Sequence, residues 1–342
     1  MAYISFQPKD YFNTHLYSGN DTTNNQQVGL TPDLVWVKSR NTGSPTQHYW
    51  VDKVRGDKKY ISSNSTASES TDSNTFDLVS GGFNLAGGNG WTNLTGRTYA
   101  SWNWLANGAG SSNTEGDITA TVSANTTSGF SIIKFTSAGS VSQSYGHGLN
   151  GTPKLWIIKD TSTSSNNWQV YYNGTDRLKL DTNEATSTTA SQLMSANATT
   201  ITTPSYADGA WGNGSGLNYI TYAFQEIKGF SKIGKYTGNG NADGVYQHLG
   251  FSASWLMIKR TDSTASWVIF DNKRLGYNVA NYQLYANSTS AEGNNVLLDI
   301  TSQGFKCRAN HLDVNGSGAS YIFMAFAEAP LVSSNGVPAV AR

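Results

Sequence analysis

Three short stretches decide the fold: Leu34-Val-Trp-Val-Lys38, Leu155-Trp-Ile-Ile-Lys159 and Leu256-Met-Ile-Lys259. Each is an apolar run that stops at a lysine. A polar turn follows, then an aromatic run: Tyr49-Trp50-Val51, Trp168-Gln-Val-Tyr-Tyr172 and Trp267-Val-Ile-Phe270. A second motif closes each unit, as Tyr99-Ala-Ser-Trp-Asn-Trp104, Tyr219-Ile-Thr-Tyr-Ala-Phe224 and Tyr321-Ile-Phe-Met-Ala-Phe326. From the lysine to the closing tyrosine the chain runs 61, 60 and 62 residues. Near-equal spacings joining the same two motifs three times mark an internal repeat.

Lesser anchors agree. Asn93/Gly96, Asn213/Gly216 and Asn315/Gly318 each place the glycine three residues before the closing tyrosine. Mid-unit polar segments correspond at Ser63–Glu69, Asp181–Thr186 and Ala286–Glu292. The reading divides the chain into an N-terminal arm (1–14), a first unit (15–106), a linker (107–116), a second unit (117–228), a third unit (229–330) and a C-terminal arm (331–342). Lys38 and Lys159 lie 121 residues apart and Lys159 and Lys259 only 100, and the excess falls in Asn107 to Gly129. A period near 100 residues exceeds that of the common solenoids and suits a β-sandwich. The expected fold is all-β, with three tandem divergent jelly-roll or β-sandwich-like domains. The closing strand of the second unit mixes polar and apolar residues and is expected near a sheet edge.

Composition fits. Charged residues are only 13% of the 342, aromatics reach 12%, and Lys+Arg and Asp+Glu both total 23. Ten Trp, 18 Tyr and 13 Phe supply a core that a disordered polar chain lacks. Net neutrality gives no basic field for nucleic acid or for an anionic membrane, so neither is expected as partner. No apolar stretch approaches the roughly 20 residues of a membrane span, and the start Met-Ala-Tyr-Ile-Ser-Phe has no signal-peptide pattern. Assembly in the cytoplasm of a host cell is the matching expectation.

Several longer segments carry a resemblance. Trp50-Val-Asp-Lys-Val-Arg-Gly56, Ala100-Ser-Trp-Asn-Trp-Leu-Ala-Asn-Gly-Ala-Gly110, Thr119-Ala-Thr-Val-Ser-Ala-Asn-Thr-Thr-Ser-Gly-Phe130, Trp267-Val-Ile-Phe-Asp271 and Phe326-Ala-Glu-Ala-Pro330 are similar to a family of repeated domains in marine bacteriophage structural proteins. The resemblance implies a virion protein of the tail-fibre or surface-appendage kind, located on the virion beside other virion proteins. It carries no catalytic motif to this chain.

Several residue types could hold chemistry. Lys38, Lys159 and Lys259 read better as strand ends with stems over apolar surface than as ligand contacts. His147 and His248 stand at similar distances before the repeat lysine, yet neither has a second ligand at metal spacing, so no metal is expected. His15, His48 and His311 form no constellation. Cys307, the single cysteine, reads as a buried structural thiol. No nucleophile–base pair, carboxylate couple or phosphate loop stands out, so no catalytic residue and no cofactor are expected. Trp91 and Trp211, in Gly-rich loops before the closing strands, are the candidates for interface or glycan contact, with folding back as a lid the alternative. The expected function is a non-enzymatic virion structural protein that contacts host-surface glycan. Head decoration or a connector is the alternative, and a glycan-degrading enzyme the third reading. Association through the arms as a homo-oligomer, with a trimer favoured, completes the expectation.

Overall fold

The computed structural model describes residues 6–41, 46–139, 141–206, 209–274 and 280–328, together with the short pair Leu331–Val332 and Pro338–Ala339. Two short 3-10 turns, Pro8–Asp10 and Ala190–Gln192, interrupt an otherwise all-β architecture among these residues.

Each unit builds one main sheet with the same strand order. In the first unit an opening strand (Phe12–Ser18) pairs with the closing strand (Thr98–Trp104). That strand pairs with the lysine strand (Leu34–Ser39), which pairs with the aromatic strand (Tyr49–Asp52), all antiparallel. The second unit repeats this order with Phe130–Thr136, Asn218–Phe224, Leu155–Asp160 and Gln169–Tyr172. The third does so with Ser231–Thr237, Ser320–Ala327, Ala253–Arg260 and Trp267–Asp271. Register agrees as well: Lys38 stands opposite Ala100, Lys159 opposite Ile220 and Lys259 opposite Ile322. The first main sheet takes in Phe12, inside the stretch read from sequence as an arm.

A smaller sheet covers one face of each main sheet. In the first unit it is Asn24–Gln27, Gly82–Ala86 and Thr75–Val79, and in the second Ser144–Gly146, Thr200–Thr202 and Ser195–Ala196. In the third, strand Ala280–Tyr285 pairs with both the aromatic strand and Gly293–Thr301, so eight strands run on continuously and the sandwich approaches a barrel. Gly82 and Gly304 hold matching places in these covers. A Cβ there would stand 1.8 Å from the Gln26 carbonyl and 1.9 Å from that of Gln247, so only glycine admits the close pairing.

The period-2 alternation of the lysine strands separates two kinds of core. Val35 and Val37, Trp156 and Ile158, and Leu256 and Ile258 face the cover sheet of their own unit. Leu34 and Trp36, Leu155 and Ile157, and Trp255 and Met257 face the other way, into one core shared by all three units. The three sandwiches therefore close around a common centre lined with Trp36, Trp50, Trp102, Trp104, Trp168, Trp255 and Trp267. This overturns the edge expectation for the second closing strand. Asn218–Phe224 lies centrally in a seven-stranded sheet, and all its residues after Asn218 are buried. Its mixed pattern reflects burial on both faces, where alternation has no solvent side to mark.

The extra residues between the first two units are structured. Ser111–Asn113, inside the linker read from sequence, pairs with Ala120–Asn125, and both extend the second main sheet beyond its opening strand. The outer strand is short and polar, as a sheet edge needs to be. Of the C-terminal arm, Leu331–Val332 pairs with Pro338–Ala339; Val337 and Val340 lie outside the described residues, as do Met1 to Ser5.

Candidate functional site at the seams between units

The lysines lie at the rim of the shared core, on the inward face of their strands, and all three are buried. A buried ammonium needs acceptors, and each finds them in its own turn and in a neighbouring unit. Lys38 donates to the Ser39 carbonyl at 3.0 Å, Thr46 Oγ1 at 3.0 Å and the Thr289 carbonyl of the third unit at 3.2 Å. Lys159 donates to Asn166 O at 2.9 Å and, in the first unit, Thr66 O at 3.0 Å. Lys259 donates to Ala265 O at 2.8 Å and, in the second unit, Asn183 O at 3.2 Å. The cross-unit acceptors all belong to the mid-unit polar segments. First grips third, third grips second, and second grips first: a closed three-fold ring within one chain.

Backbone contacts repeat around the same ring. The amide of Glu292 donates to Arg40 O at 2.7 Å, that of Glu69 to Thr161 O at 3.0 Å, and that of Thr186 to Thr261 O at 2.8 Å. Directly across from each lysine, Trp168 donates Nε1–H to Ser62 O at 2.9 Å and Trp267 to Lys179 O at 2.7 Å. The first unit departs here. His48 takes the tryptophan's place, with Nε2 2.9 Å from Tyr285 O and Nδ1 2.8 Å from Trp36 Nε1. The indole can only donate, so Nδ1 accepts and Nε2 carries the proton: the imidazole is neutral. Burial, with Lys38 beside it, holds its pKa well below the ordinary histidine value.

A second set of contacts fills the other end of the seams. Asp52 pairs with Arg55 at 2.5 Å and accepts from Tyr222 of the second unit at 2.7 Å. Asp271 pairs with Arg274 at 2.7 Å and accepts from Trp102 of the first unit at 3.1 Å. At the third seam the equivalent residues are Tyr172, Thr175 and Met324. Carboxylate, guanidinium and donor are all replaced together, so no member is left buried and unpaired. Lys235 instead reaches Asp176 at 2.8 Å and lies 4.9 Å from the centre of the Tyr172 ring.

These groups brace the seams. Burial pulls Lys38 down to about 7 and Lys159 and Lys259 to about 8, values that suit a nucleophilic amine. Geometry argues the other way, because the three hydrogens of Lys38 face three acceptors and point its nitrogen at no open space. Asp33 and Asp52 are buried close enough to repel, but Asp33 accepts from Ala106 N at 2.8 Å and Asp52 is taken by Arg55 and Tyr222.

The residues singled out from sequence sit as follows. Trp91 is half-buried with its ring 5.6 Å from that of Tyr60, and Trp211 is buried beneath Tyr206 and Arg177. Both rings lie against their own sandwich. His147 is buried and bonded to Asn197 O and the Leu149 amide, whereas His248 is exposed. Their backbones differ in register too: the amides of His147, Val28 and Leu249 bond to the matching cover-sheet turns, so His147 aligns with Val28 and Leu249. Cys307 is buried, and burial pushes its thiol up to about 12. No three His, Cys, Asp or Glu among the described residues come together as a metal site. The cross-unit grip of the lysines was absent from the sequence reading, although the matching polar segments at Thr66, Asn183 and Thr289 were its signal.

No curated protein and no solved structure matches the chain. Residues 7–330 match one family, described as a domain of unknown function (DUF7483), and with nearly its whole length covered the chain belongs to that family.

Proposed function

We propose that the chain is a non-enzymatic structural module of a bacteriophage virion, mounted as a tail-fibre or surface-appendage piece. One geometric observation supports this reading above the resemblance of its sequence. Three sandwiches close around one axis, and the chain enters the first and leaves the third at the same end, opposite the lysines. Phe12 and Trp104 pair at that end, as do Ser231 and Phe326, while Ser39 and Tyr99 pair at the other. A module held by that end presents the Ser/Thr/Asn-rich turns 161–167 and 261–266 beyond the second and third lysines outward, towards host glycan or a neighbouring virion protein. Association of copies into trimers belongs to the same proposal, and sedimentation at micromolar concentration tests it. Head decoration is the second reading, since a three-fold body also suits a three-fold position on a shell. Labelled antibody imaged on intact particles separates the two. Label on tail or fibre supports the first, label on the head the second, and no label on particles overturns both.

A further inference from the structure

The three seams are built alike but closed differently. Chain crosses from first to second unit through residues 105–110 and from second to third through 225–230. Nothing covalent joins third to first. At its lysine end that seam is closed by Tyr285 to Glu292 of the third unit, held by Lys38, His48, Ser63 and Arg40 of the first. It is also the seam where a titratable histidine stands in the place that Trp168 and Trp267 fill elsewhere. We propose that Tyr285 to Glu292 is an acid-released latch, undocked from the first unit when His48 takes a second proton.

The contacts define why protonation opens it. His48 Nδ1 accepts from Trp36 Nε1, and a proton there turns the pair into two facing donors. The charged group facing the ring is Lys38, on the adjoining strand, so the new charge meets a like one. From the third unit the ring meets the carbonyls of Tyr285 and Ser288, which carry no compensating negative charge. The nearest carboxylate of the latch segment, Glu292, is already bound at 3.0 Å to Arg40 and at 3.3 Å to Arg274. Below the seam, Asn64 accepts from the His48 backbone amide. Undocked, the ring meets water and regains an ordinary pKa of about 6.5.

The sign follows from linkage. The docked form holds His48 neutral and the undocked form binds one proton more below about pH 6.5, so acid favours undocking. Lys38, pulled down to about 7 by burial, opposes this near neutrality but is charged in both forms below about pH 6, where the slope is that of His48 alone. One proton corresponds to about a tenfold change in the opening equilibrium per pH unit over that range. The three matching inter-unit amides supply the measurement and its controls. Hydrogen exchange of the intact chain is followed at Glu292, Glu69 and Thr186 between pH 7 and 5, each corrected for its intrinsic rate. The expected result is protection at Glu292 falling about tenfold per unit below about pH 6, where Lys38 no longer titrates, while Glu69 and Thr186 stay flat. His48→Gln, which can still accept from Trp36 and donate to Tyr285 O, flattens Glu292 as well. A fall shared by all three amides means global loosening and overturns the latch. So does a flat Glu292 in the native chain, or a slope that survives in H48Q.

Discussion

A lysine at the end of an apolar strand is ordinarily a surface residue whose stem covers its neighbours. Here the same pattern gives three ammonium groups at the rim of a shared core. Each amine reaches a carbonyl of a neighbouring unit, a bracing contact that the stem-over-surface pattern does not announce. The cross-unit acceptors of Lys38, Lys159 and Lys259 lie 251, 93 and 76 residues away, and no periodicity reports a contact at such range. Substitution separates a strut from a surface stem. Lys159→Met keeps length and apolar contact but leaves the carbonyls of Thr66 and Asn166 without their donor. Both carbonyls are half-buried, so the loss falls at the lower end of the about 1–3 kcal/mol of an orphaned buried acceptor, against near zero for a surface lysine. Urea denaturation of K159M is expected to show a loss of about 1 kcal/mol. A midpoint unchanged from the parent would return Lys159 to the surface role.

Among elements, the closing strands show how much of the fold was legible. Their spacing from the lysine strands placed them as partners of a repeated unit, and the structure pairs them directly in all three. Their position in the sheet was not legible. A strand covered on one side by its own small sheet and on the other by two neighbouring units has no polar face, so Tyr219 to Phe224 carries no mark of centre or edge. The seam carboxylates were equally hidden, because Asp52 and Asp271 look like ordinary strand-end aspartates until Tyr222 and Trp102 arrive from other units. Their energetic signature is specific. Asp52→Leu leaves the Arg55 guanidinium buried without its main partner, and breaking a buried pair in this way costs about 3–5 kcal/mol. A triple variant carrying Asp52→Tyr, Arg55→Thr and Tyr222→Met copies the set found at the third seam. It is expected to be more stable than D52L alone by thermal denaturation. A triple variant no better than D52L would mean that the third seam owes its tolerance to other contacts.

At the scale of the molecule, three sandwiches of about 100 residues are each of a size to fold alone, and tandem domains of that kind commonly unfold in separate steps. The packing argues for the opposite behaviour. The shared core takes Trp36, Trp50, Trp102 and Trp104 from the first unit, Trp168 and Tyr222 from the second, and Trp255 and Trp267 from the third. Rings meet across units, as with Trp50 and Trp168 at 5.2 Å, Trp104 and Trp255 at 5.8 Å, and Phe12 and Phe326 at 4.9 Å. Removing one unit would expose the inner faces of the other two, at about 25 cal/mol for each Å² of apolar surface. A partly unfolded ring is therefore disfavoured against both the closed and the fully unfolded chain. Denaturant unfolding followed by tryptophan fluorescence and by far-UV circular dichroism is expected to give one coincident transition. Its slope should match exposure of the whole chain rather than of a third of it, because the slope scales with the surface uncovered. Two or three separated transitions would mean that the units stand independently and that the central aromatic core binds them only weakly.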